Sequence, residues 1–187
     1  MSNNSAKLFV ISGPSGSGKS TLVRRSVPRT KVKVSISATT RKAGAGETDG
    51  KDYYFISKEE FLRKAERGEF LEYAQVFDNY YGTPAEPVKE LLRQGHTVVL
   101  EIDVQGAKQV FENFPSAEGI LVLPPSTEEL RRRLCDRRRD DAGTIEKRLA
   151  KAEWEISRAR ACDNFKYTIV NSNLEESIEE MVKLLSS

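Results

Sequence analysis

The stretch GPSGSGKS at residues 13–20 constrains this chain more than any other part of it. It fits the pattern GxxxxGK[ST] and stands in the context that pattern needs, with the apolar run KLFVIS (7–12) before it and a helix-forming segment after it. Glycines let a backbone fold around an anion so that successive N–H groups point inward. The amino end of the following helix adds a partial positive charge. Gly13, Pro14, Ser15, Gly16, Ser17, Gly18, Lys19, Ser20 and Thr21 are therefore the candidate nucleoside triphosphate site. Lys19 has the reach for the β- and γ-phosphates, and the Ser20 hydroxyl suits Mg²⁺, directly or through water. The pattern is silent on the reaction, because GTPases, ATPases and small-molecule kinases share it.

The rest of the chain alternates strands with helices. Strand patterns occupy 7–12, 32–37, 53–57, 69–77, 97–103, 119–123 and 167–170. Helices are expected at about 18–27, after the capping box Ser57-x-x-Glu60, over 84–94 and 104–114, and after Ser126-x-x-Glu129. A long helix carries Ile145, Leu149, Ala152, Ile156 and Ala159 on one face, and Asn173-x-x-Glu176 opens the last. This rhythm predicts an α/β fold, a phosphate-loop core whose parallel sheet is covered by helices on both faces. It breaks over 35–96, where short strands crowd together, and that segment reads as a small mixed α+β lobe inserted into the core.

Bulk properties exclude several classes. The 187 residues are 38% hydrophobic and 31% charged, which suits a globular chain, and no apolar run approaches the ~20 residues of a membrane span. MSNNSAK is not a secretory signal. The expected setting is cytoplasmic, with Cys135 and Cys162 as plain thiols. A net charge of +2 gives no global case for nucleic-acid binding. His96, the one histidine, reads as a turn residue.

Asp103 closes the strand pattern VVLEID, and an acid at the carboxyl end of a core strand faces the ligand crevice. There it suits either the Mg²⁺ shell or an acceptor substrate. Glu101, two residues earlier, points to the same face, and a structural charge pair is an equally good account of it.

The phosphate loop, SATTRKAGAGETDGKDYYF, EFLEYAQVFDNYYGTP and LEIDVQGAKQV, in that order, resemble guanylate kinase over about residues 7 to 185. The resemblance implies ATP and GMP as substrates, ADP and GDP as products, and Mg²⁺ with the ATP. It implies a core (1–34, 97–130 and 163–187), a GMP-binding lobe (35–96) and a lid with flanking helices (131–162). Glu72 matches the family's base-reading glutamate, Ser37 and Thr83 its base-facing hydroxyls, and Asp103 a position near the base edge. Guanine offers N1–H and its 2-amino group as adjacent donors, which a carboxylate suits. Arg41, Tyr53 and Tyr81 match the residues that grip the acceptor's phosphate. Arg133, Arg137 and Arg148 match arginines that close over the phosphates, so the catalytic set is Lys19, Arg41, Arg133, Arg137 and Arg148. Asn171 matches a position near the ATP adenine.

Two positions depart from the family pattern. The usual TTRxxRxGE here reads TTRKAGAGE, so Gly44 stands where a second arginine belongs. Losing a charge-assisted contact weakens binding by roughly 1.5–3 kcal/mol, which predicts a raised Michaelis constant for GMP. Arg138 replaces a common glycine. Two rival readings remain at this stage: a related kinase with a non-guanine phosphorylated acceptor, and a non-catalytic domain that binds phosphopeptides. The intact Lys19-Ser20 pair speaks against the second. No nucleic-acid or membrane partner is expected, and oligomeric state is open.

Overall fold

The computed structural model describes residues 6–76, 78–136 and 142–187. Its centre is a five-stranded sheet built from β1 (Leu8–Ser12), β2 (Lys33–Val34), β7 (Val98–Glu101), β8 (Glu118–Leu123) and β9 (Tyr167–Val170), in the order β2-β7-β1-β8-β9. Every pairing in it is parallel. Alternation along β1 explains the two cores. Leu8 and Val10 face one side, with Val98 and Leu100, and pack on Ala107, Val110 and Phe111 of α4 (Val104–Asn113). Phe9 and Ile11 face the other, against Leu22 and Val23 of α1 (Lys19–Ser26) and Ile178, Met181 and Leu185 of α7 (Leu174–Leu185). Both faces are covered, as a parallel sheet requires.

A second, four-stranded sheet has the order β4-β3-β6-β5, from β3 (Ala38–Thr39), β4 (Tyr54–Phe55), β5 (Phe70–Val76) and β6 (Asn79–Pro84). The segment expected as one strand over 32–37 is divided. Lys33–Val34 joins the large sheet and Ala38–Thr39 joins the small one. Strand β6 was not anticipated, because Asn79, Gly82 and Pro84 hide its pattern. Gly82 is required there, since a Cβ would lie 2.9 Å from Tyr73 Cβ and 3.0 Å from the Glu72 carbonyl oxygen.

Helix α2 (Lys58–Glu66) starts where the capping box places it, with the Ser57 hydroxyl accepting from the Glu60 N–H at 3.1 Å. Ser126 does the same for α5 (Thr127–Cys135), and Asn173 caps α7. Helix α3 (Ala85–Arg93) ends before the turn that carries His96. Helix α6 (Ala142–Arg160) packs Ile145, Leu149 and Ala152 on Leu130 and Leu134 of α5. Among the described residues, no helix is long and apolar enough to cross a membrane.

Candidate active site

Strand β1 feeds the phosphate loop at the carboxyl edge of the sheet, between β7 and β8, where the chain order reverses and α/β folds hold ligands. Gly16 and Gly18 have φ of 92° and 91°, a left-handed backbone that an L side chain rarely adopts. A Cβ on Gly18 would also come within 2.2 Å of Asn171 Nδ2. The turn is closed by the Ser17 N–H donating to the Pro14 carbonyl at 3.1 Å. Gly13 to Gly16, Gly18 to Thr21, Asp103, Lys151 and Glu155 line a cleft of about 270 Å³.

Glu101 makes both a hydrogen bond and a charge pair within the loop. It is the last residue of β7, in register with Ile11 of β1, and this sets its carboxylate over the start of α1. Oε1 accepts from the Ser20 hydroxyl and lies 3.9 Å from Lys19 Nζ. Asp103 instead caps α4, accepting from the Gly106 N–H at 2.8 Å, while still lining the cleft.

Asn171 follows β9 and is buried against the loop. Its Nδ2 donates to the Ser17 carbonyl at 2.8 Å. Arg133 of α5 joins the same carbonyl at 3.3 Å and the Asn171 carbonyl at 2.8 Å, and Glu129 holds its Nε at 2.7 Å. These two residues brace the loop's backbone. Arg148 is half-buried on α6, and Arg137 and Arg138 lie outside the described residues. Arg131 and Arg132 are exposed and ion-paired with Glu146, Glu129 and Asp136, as a solvated face would be.

The second sheet assembles the other half of the site. Glu72 of β5 is 6% exposed and pairs across the ladder with Thr83 of β6, whose hydroxyl donates to Oε1 at 2.7 Å. Burial pushes Glu72 up to about 7, against the Thr83 hydrogen bond, and the Asp103 charge adds to the rise. Gly106 makes room for it, since a Cβ there would sit 2.6 Å from Glu72 Oε2. Asp103 thus connects the two halves, lining the phosphate cleft while acting on the buried carboxylate. Ser37 is half-buried immediately before β3.

The loop over 40–53 is folded by its own acids. The Thr48 N–H donates to Asp52 at 2.8 Å, and the Phe55 N–H donates to Asp49 at 2.8 Å. This brings Tyr53 beside Tyr81, with ring centroids 6.1 Å apart, and sets the Arg41 guanidinium 5.3 Å from the Tyr53 centroid. Glu47 grips Arg41 with both oxygens, at 2.7 and 2.9 Å, and also accepts from the Gly44 N–H at 2.6 Å. The Arg41 hydrogen bond holds Glu47 down to about 2, and Glu47 raises Arg41 in return.

Sequence reasoning missed Glu47, Lys151 and Glu155. Glu155 had a signal: it shares a face with Ala152 and Ala159, an acid on an apolar stripe. Lys151 had none, because a lysine on an exposed helix position looks solvated.

A parallel core carrying this loop at its switch point, with a buried carboxylate on a second sheet, places the molecule among the P-loop kinases. Comparison narrows the class. A guanylate kinase family profile matches residues 5–187. A guanylate kinase of Clostridioides difficile (strain 630) is 46% identical over 181 residues, covering 96% of this chain and 87% of that one. Another from Synechocystis sp. is 47% identical over 180 residues, covering 96% and 93%. The crystal structure of guanylate kinase from Anaplasma phagocytophilum superposes with a TM-score of 0.73 at 36% identity, covering 96% of this chain and 84% of that one. The chain belongs to the guanylate kinase family.

Proposed function

We propose that this protein transfers the γ-phosphate of ATP to GMP, giving ADP and GDP, in the cytoplasm. The observation that carries the choice of acceptor is the buried Glu72–Thr83 pair. An ionised Glu72 accepts from guanine N1–H and the 2-amino group. Adenine turns a lone pair on N1 toward the same carboxylate, a mismatch of the kind that buried polar sites reject strongly. Residues 35–96 form the acceptor lobe, residues 131–162 the lid, and the remainder the core.

The chemistry asks little of the protein beyond position and charge. The nucleophile is a GMP phosphate oxygen already ionised at neutral pH, so no general base is needed. Arg41, Tyr53 and Tyr81 hold the acceptor phosphate in line. The loop amides and Lys19 hold the donor, and Arg137 and Arg148, joined by Arg133 once it leaves the Ser17 and Asn171 carbonyls, lower the charge on the transferring group. Closure of lobe and lid excludes water and suppresses ATP hydrolysis. Asp103 helps place the base, and Asn171 serves the ATP side by bracing Ser17.

The residues present fit Mg²⁺. The Ser20 hydroxyl and the Glu101 carboxylate are hard oxygen donors in mutual contact at the loop. Mg²⁺ in kinase sites takes one or two protein oxygens and otherwise nucleotide phosphates and water. When bound, the ion neutralises charge on the β- and γ-phosphates.

The test is ADP formation from Mg·ATP with GMP, AMP, UMP or ribose 1,5-bisphosphate as acceptor. GMP should support turnover far above the others. Turnover with ribose 1,5-bisphosphate in place of GMP would overturn the assignment.

A further inference from the structure

The phosphate cleft has a wall that the mechanism above does not use. Helix α6 puts Lys151 and Glu155 into the lining of the cleft formed by the phosphate loop and Asp103. Glu155 is 6% exposed, yet it is an acid facing a site meant for a polyanion. A buried carboxylate beside bound phosphates is repulsive unless a cation is held with it. Lys151 is that cation, one helical turn earlier, with Nζ 3.6 Å from Glu155 Oε1. Its side chain is 53% exposed, so the ammonium keeps donors free for another partner. The electrostatics agree: burial raises Glu155, Lys151 draws it back, Asp103 adds to the rise, and Lys19 draws it back again. All four charges therefore share one neighbourhood.

We propose that Lys151 is a further donor-phosphate contact, an ammonium aimed by the buried Glu155 at the phosphate chain of the nucleotide in the loop. The inference rests on the kinase reading for its turnover arm only. Lys19 comes from the loop and Lys151 from α6, the helix that carries Arg148. Lid movement would carry Lys151 with α6. Glu155 acts through Lys151 and is a positioning residue.

The test uses the full chain with Lys151→Met, which keeps the aliphatic stem, Lys151→Arg, which keeps the charge, and Glu155→Gln. Lys151→Met is expected to weaken Mg·ADP binding in calorimetry about tenfold and to raise KM for Mg·ATP similarly, with KM for GMP within twofold of the parent. Lys151→Arg should recover most of the loss. Glu155→Gln should show part of the same Mg·ATP-specific defect, a split that a merely structural role would not produce. If Lys151→Met leaves Mg·ADP affinity and KM for Mg·ATP within twofold, the inference is wrong and Lys151 serves only to neutralise Glu155. A parent that binds Mg·ADP without phosphorylating GMP would sink the kinase reading but not this one, which is then read from Mg·ADP affinity alone.

Discussion

Replacing Glu72 by Gln should stabilise the empty protein while disabling it. Glu72 is 6% exposed and its carboxyl is raised from 4.5 to about 7, chiefly by burial. In the unfolded chain it ionises near 4.5, so between pH 4.5 and 7 the unfolded state releases its proton first. Stability is therefore lost as pH rises through that window, and the loss is complete above about 7. At about 1.4 kcal/mol per unit, the cost at pH 8 is on the order of 3 kcal/mol. Glutamine still accepts from Thr83 and carries no charge, so Glu72→Gln should recover up to that amount. For a chain of this length the gain is about 6–12 °C in Tm as an upper bound. At pH 5 the folded carboxyl is neutral and only half a unit separates the pH from the unfolded value, so the gain should fall to under about 1 kcal/mol. Thermal denaturation of both proteins without nucleotide, at pH 5 and pH 8, reads this directly. Turnover with GMP should fall at least a hundredfold, since the amide turns a donor toward a donor. A variant no more stable than the parent at pH 8, or equally stabilised at both pH values, would refute the reasoning.

Because guanine needs the ionised form of Glu72, KM for GMP should climb as pH falls below about 7 and stay flat above it. Its slope should approach tenfold per unit, while KM for Mg·ATP serves as the internal control. Gly44→Arg should lower KM for GMP about tenfold or more. The site has no left-handed φ to resist a side chain, and a Cβ would stand 3.1 Å from Glu47 Oε2 and 3.9 Å from Arg41; an unchanged KM would show that Gly44 costs nothing. Asn171→Ala removes the 2.8 Å brace on the Ser17 carbonyl and should cost about 1–2 kcal/mol of stability, with a raised KM for Mg·ATP. Glu101→Gln should weaken the response to Mg²⁺, seen as a higher metal concentration at half-maximal rate.

The parts of the fold legible in the sequence are those set by local rules. The loop between β1 and α1, the capped starts of α2, α5 and α7, and the strand–helix alternation each rest on a few adjacent residues. What local rules do not set was harder to read. The 32–39 stretch changes sheets midway, because its partners, β7 on one side and β6 on the other, lie far along the chain. Within the site, Glu72, Thr83 and Arg41 were found through motif blocks. The structure adds what holds them: Gly106 as the space beside Glu72, and Glu47 as the clamp on Arg41. Glu101 and Asp103 are two residues apart on one face, yet the register of β7 against β1 sends only Glu101 to Ser20. That division of labour is a tertiary fact, and alternation alone left it open.

The most direct test of the account is kcat/KM for GMP, IMP and AMP at pH 8 with saturating Mg·ATP. IMP keeps N1–H and O6 but lacks the 2-amino group, so it removes one of the two donors read by Glu72. The account predicts GMP first, IMP lower by about 10–100-fold for one lost charge-assisted hydrogen bond, and AMP far below both. Equal rates with GMP and AMP would mean that Glu72 does not read the base.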